Sequence, residues 1–122
     1  MDERTQARIY SAGRVVFGGA LVVAPGFVGR RWIGSDADSA GARVALVTMG
    51  ARDVALGLGA ERALRAGDPA KAWVIGGAAA DLADLVATLV AGRDLPLAGR
   101  VLVGAIAAGA AVNGARLAAA LD

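Results

Sequence analysis

Four apolar stretches of nearly equal length, separated by clusters of helix breakers, constrain this chain more than any other feature. The first break is Gly29 to Gly41, where Gly34, Ser35, Asp36, Asp38 and Ser39 are turn and cap residues. The second is Gly67-Asp68-Pro69, with Gly67 suited to a helix C′ position, Asp68 to an N-cap and Pro69 to N1. The third is Gly92-Arg93-Asp94-Leu95-Pro96. The breaks predict helices over Ala7–Val28, Ala42–Leu64, Pro69–Ala91 and Leu97–Leu121, with Pro25-Gly26 a point where the first kinks or ends early. A helix of about 22 residues spans roughly 33 Å, close to the ~30 Å hydrocarbon core of a bilayer.

Composition narrows the possibilities. All 122 residues fit one domain. Hydrophobic residues make up 57%, and 31 alanines with 18 glycines fill 49 of the 122 positions, which excludes disorder. The absence of cysteine excludes disulfides and thiolate metal sites, and the absence of histidine excludes histidine-based triads and pH switches. No cofactor and no metal are expected. Twelve arginines and one lysine, Lys71, are scattered with no run longer than Arg30-Arg31; nucleic-acid binding, which needs a clustered basic patch, is not expected.

The helices lack the wide polar face of a soluble bundle. From Val44 to Ala60 only Thr48, Arg52 and Asp53 are polar, and from Ala72 to Gly92 only Asp81, Asp84 and Thr88. The longest uncharged runs, Val15–Gly29 and Val101–Ala115, have 15 residues each. The fold expected is all-α, an up-down-up-down bundle of four transmembrane helices in the cell membrane. Tyr10, Trp32 and Trp73 fall near segment ends, where aromatic side chains suit the membrane interface. Four spans put both termini on one side, and the polar N-terminus points to the cytoplasmic side. Basic residues divide evenly: Arg4, Arg8, Arg62, Arg65 and Lys71 on one side, Arg30, Arg31, Arg43, Arg93 and Arg100 on the other. That balance permits an antiparallel homodimer of dual topology.

Ionisable residues within the segments carry the functional signal: Arg14, Arg52, Asp53, Asp81, Asp84 and, nearer an end, Arg116. A charge at the bilayer centre costs about 2.5–3.5 kcal/mol on insertion scales, so these groups are expected to face one another. Asp81 and Asp84 are i,i+3 and share a face that Gly77 and Thr88 extend. Thr48 and Arg52 form a stripe on the second helix, Tyr10, Arg14 and Gly18 on the first, Asn113 and Arg116 on the fourth. Turned inward, three positive charges meet three negative ones, Arg52 pairing with Asp81 or Asp84 and Arg14 with another carboxylate. The alternative to such a registration device is a polar cavity serving a ligand, a proton path or catalysis. Asp36-Ala37-Asp38 reads as a helix cap.

The run Gly50-Ala51-Arg52-Asp53-Val54-Ala55-Leu56-Gly57-Leu58-Gly59 resembles the second helix of a family of small four-helix bacterial membrane proteins of unknown function, common in actinobacteria. Arg14…Gly18…Ala24-Pro25, Arg31-Trp32-Ile33-Gly34 and the aspartates at positions 81 and 84 are similar to that family too. The resemblance implies a membrane location and four spans, and no activity.

Three functions follow from these readings. The first is a small integral membrane protein, a partner subunit or hydrophobic-ligand-binding module, with a buried Arg/Asp network in which Arg14, Arg52, Asp53 and Asn113 are binding residues. The second is a membrane-embedded enzyme doing acid–base chemistry on a lipid-soluble substrate (epoxide opening, isomerisation or cyclisation), with Asp81 and Asp84 as catalytic carboxylates. The third is a dimeric proton-coupled transporter. The bilayer itself, a second copy or another membrane protein are the partners implied.

Overall fold

A computed structural model describes residues 1–121, and all regular structure among them is helical. The elements are α1 (Glu3–Val23), α2 (Pro25–Ile33), a 3₁₀ turn (Gly34–Asp38), α3 (Ala40–Ala66), α4 (Lys71–Ala91), a short 3₁₀ turn (Gly92–Asp94) and α5 (Leu97–Ala120). The all-α expectation holds, with five α-helices where the breaks predict four.

The difference lies in the first segment. A single helix over 7–28 is not formed, because Pro25 has no N–H to donate and its ring disfavours helical backbone at Ala24, which adopts φ −135°, ψ 62°. The α1 helix stops at Val23, the chain turns by 103°, and Pro25 opens α2 at its first position. The expected loop at 29–41 is accordingly the second half of α2 and the 3₁₀ turn. Gly67 closes α3 in the left-handed region, φ 77°, as expected. The Asp68 amide then donates to the Ala63 carbonyl at 2.9 Å, a Schellman closure. Asp68 thus finishes α3 instead of capping α4, which starts at Lys71 behind Ala70, not at Pro69.

Two helical segments, Lys71–Asp94 and α5, are long and apolar enough to cross a membrane, and a third is added if α1 and the bent segment after it count as one span. The 27-residue α3 has the length. It is not among these segments because Arg43, Arg52, Asp53, Glu61, Arg62 and Arg65 lower its hydropathy.

Consecutive long helices run antiparallel. The α1–α3 seam is the most extensive and is close-packed: a Cβ on Gly50 would lie 2.5 Å from the Gly18 carbonyl oxygen, and one on Gly57 2.8 Å from that of Ser11. Gly59 receives the ring of Trp73 from α4, and Gly99 at the start of α5 abuts the Trp32 carbonyl of α2. Two apolar clusters cap the assembly. One joins Ala7, Ala60, Leu64, Val74, Leu117 and Leu121 where both termini and the α3–α4 turn meet. The other joins Leu21, Trp32, Ala37 and Leu46 under the α1–α2 corner. The charged residues lie between them.

Candidate functional site

Arg14 is the hub of the middle layer. Its side chain is buried and donates to Asp53 of α3 at 3.2 Å. Its other terminal nitrogen donates to Asp81 of α4, to the Tyr10 hydroxyl at 2.8 Å and to the Gly77 carbonyl at 3.0 Å. Gly77 makes that approach feasible, since a Cβ there would sit 2.9 Å from Arg14 Nε. Tyr10, one turn before Arg14, donates its hydroxyl to Asp81 at 2.7 Å, with the Ala110 carbonyl of α5 at 3.2 Å.

Arg52 forms the second centre. Its Nε donates to Asp53 at 3.1 Å, and its two terminal nitrogens grip Asp84 at 3.1 and 3.4 Å. Asp53 accepts from both arginines and joins the two centres. Below Asp84, the Thr88 hydroxyl donates to the Asp84 carbonyl oxygen at 2.7 Å and accepts the indole N–H of Trp32 at 3.2 Å. The i,i+3 and i,i+4 spacings on α4 thus put Gly77, Asp81, Asp84 and Thr88 on one inward stripe.

Five expected site residues, Arg14, Arg52, Asp53, Asp81 and Asp84, therefore converge. Asn113 does not join them. It accepts at 3.0 Å from Arg116, which also donates to Gln6 at 2.6 Å at the end of the molecule carrying the termini. Thr48 faces outward and donates to the Ala45 carbonyl of its own helix. The expected balance of three against three is thereby corrected: Arg116 lies outside, and two guanidiniums face three carboxylates.

Tyr10 and Trp32, expected at an interface, belong to the site. The stripe Tyr10, Arg14, Gly18 contains the signal for Tyr10, a phenol one turn from a buried arginine. Trp32 carries no such signal, because its approach to Thr88 depends on the 103° bend. Trp73 does remain partly exposed, against Gly59.

Beside the network lies a cavity of about 330 Å³ between α1 and α5. Ile9, Gly13 and Phe17 wall it from α1, Val103, Ile106, Ala107 and Ala110 from α5, and Trp32 from α2; Tyr10, Arg14, Asp53, Asp81 and Asp84 also line it. Small residues make the space: a Cβ on Gly13 would meet no atom within 4 Å. Ile9, Phe17 and Ile106 are exposed, so the cavity has an apolar rim at the molecular surface. Among the described residues no group of three or more carboxylates is disposed to hold a metal ion.

No protein-family model, curated protein or solved structure matches this chain. The resemblance carried by residues 50–59 has no matching family model beside it. Chemically, the floor offers carboxylate acceptors, a phenol and the Arg14 guanidinium beneath apolar walls, with Arg52 behind Asp53 and Asp84, the mixture typical of a small-molecule site.

Proposed function

We propose that this is a small integral membrane protein in which α1, α3, α4 and α5 cross the cell membrane as an up-down-up-down bundle, and that it binds a lipid-soluble ligand in the α1–α5 cavity. In this reading α2 folds across one end and both termini face the cytoplasm. The outer surface favours lipid: Val90 is 82% exposed, Val112 71% and Leu89 69%, and large apolar side chains exposed along the long helices in this way are an aggregation liability in water. The charged residues of α3 at mid-depth, Arg52 and Asp53, turn inward and are paired, as intramembrane charges must be. The observation that carries the binding function is the cavity, whose rim of Ile9, Phe17 and Ile106 opens on that apolar exterior while its floor is ionic.

An aliphatic alcohol bearing a diazirine, photolysed in membranes containing the protein, tests this reading. The expected label falls on residues 9–17 and 103–110 and is lost in Gly13→Leu, whose side chain fills the cavity. Label spread evenly over all outward faces and unaffected by Gly13→Leu would contradict it.

A second reading, acid–base chemistry on the bound lipid-soluble molecule, is favoured by one feature. Arg14 bridges two carboxylates, Asp53 and Asp81, and Asp81 also accepts from Tyr10. Such a set puts carboxylate proton acceptors and a phenolic O–H donor together at the floor of the cavity. Asp81→Asn that keeps its melting temperature but loses the host phenotype would support this reading; lower stability with no phenotype beyond reduced abundance would oppose it.

A further inference from the structure

The charge of the cavity floor selects among lipid-soluble ligands. Two guanidiniums, Arg14 and Arg52, are shared by three carboxylates, Asp53, Asp81 and Asp84. The one other cation on the transmembrane stripes, Arg116, is engaged with Gln6 and Asn113 away from the floor. With every group in its ordinary ionised form the floor therefore carries one uncompensated negative charge, in surroundings where an unpaired charge is costly. Independently, three of the five aromatic side chains in the whole chain, Tyr10, Phe17 and Trp32, line this one cavity; the Tyr10 ring already carries the Arg14 guanidinium 5.3 Å from its centroid, which leaves Phe17 and Trp32 for a ligand. Aromatic faces attract cations through their quadrupole, most of all where water is excluded, and quaternary ammonium groups are the usual beneficiaries.

From these two observations we infer that the cavity takes an amphiphile with a positively charged head, an amine or quaternary ammonium group on an aliphatic chain, seated with the head over Asp81 and Asp84 and the tail leaving past Ile9 and Ile106. The inference rests on the cavity being a ligand site and adds the class of ligand. The head supplies the charge that Arg116 does not, and the aromatic walls replace its water. An anionic head of the same size would meet a floor already negative, so the two arginines do not make this an anion site: each is committed to carboxylates. A floor neutralised by a bound proton would instead leave no preference for charge.

The test uses the full chain in nanodiscs of an uncharged galactolipid, with Trp73→Phe leaving Trp32 as the single tryptophan. Decyltrimethylammonium, decanol and decyl sulfate share a tail length and differ in head charge. Trp32 emission is expected to respond saturably to all three, with the cation at least about tenfold tighter than the alcohol and the sulfate weakest. Asp84→Asn, which leaves the Arg14 hub intact, is expected to remove the preference for the cation while retaining alcohol binding. Equal affinity for cation and alcohol, or tighter binding of the sulfate, would overturn the inference and leave the ligand site standing. No saturable response to any of the three would remove both.

Discussion

On one side of α1, Gly18 lets the helix press against α3 until the two backbones touch: a Cβ there would lie 2.6 Å from the Gly50 carbonyl oxygen. On the other side, one turn away, Gly13 faces no atom within 4 Å and borders the cavity toward α5. The same residue type closes one interface and opens the other. What differs is the partner. The α3 helix presents Gly50 to Gly18 and Gly57 to the backbone of Ser11 and the side chain of Val15, so the gap vanishes, the close approach that small residues permit between helices. On the Gly13 side the lining from α5 is Val103, Ile106, Ala107 and Ala110, and the space between the helices stays open. Along α1 a glycine closes a helix seam only where the facing backbone comes to meet it.

The ionic layer spans both regions, and breaking it gives the largest effect. Arg14 exposes 6% of its side chain, and its removal strands Asp81 and leaves Asp53 to Arg52 alone. Arg14→Leu is expected to lower stability by about 3–5 kcal/mol, the cost of orphaning a buried charge. Arg52 exposes 33% of its side chain, so Arg52→Leu should lose less, about 1–3 kcal/mol. Melting of both variants in detergent checks the order; a larger loss for Arg52→Leu would move the hub of the network from α1 to α3.

The seam and the cavity separate at the next level. Gly50→Ala forces a methyl against the Gly18 carbonyl and the Leu21 side chain, and overpacking of this kind is expected to lower stability by about 1–3 kcal/mol. Gly13→Leu adds a larger side chain to open space and removes a helical glycine, so stability should rise by about 0.5–1 kcal/mol while ligand binding is lost. Loss of stability in both variants would erase the distinction between the two faces of α1.

The smallest effect lies outside both regions. Asp2 caps α1 by accepting from the Thr5 amide at 2.7 Å, and that bond holds its carboxyl below the ordinary value of 3.8. A carboxyl depressed on folding contributes stability above its unfolded pKa and loses it as pH falls through the lowered one. The helicity of α1 is therefore expected to fray slightly below that pH in the wild type and to be insensitive in Asp2→Asn, as followed by circular dichroism.

Five members of the ionic layer are legible in the sequence because each is an ionisable residue inside an otherwise apolar segment, which leaves them only one another as partners; Arg14, Asp81 and Asp84 also lie on inward stripes at helical spacing, whereas the Thr48–Arg52 stripe does not hold, since Thr48 faces outward. Arg52 with Asp84 is one of the two pairings that spacing allows. Asn113 and Arg116 form the same kind of stripe, yet they lie close enough to the end of α5 for Gln6 near the N-terminus to reach Arg116. Periodicity reports the face of a helix and not the depth at which a side chain finds its partner. Pro25 marks a break without stating its angle, and the angle decides where Trp32 goes. The cavity is illegible for a related reason: Gly13 and Gly18 look alike until the partner helices are known.

What the cavity rim faces decides between a ligand site entered from the membrane and a cleft open to water. The chain has no cysteine, so Ile106→Cys gives a unique site for a nitroxide at that rim, on the apolar helix α5. In reconstituted bilayers, collision with dissolved oxygen is predicted to exceed collision with a water-soluble nickel chelate, as for a position that opens on hydrocarbon. A nickel accessibility greater than that of oxygen at residue 106 would place the rim in water and contradict a ligand site entered from the membrane.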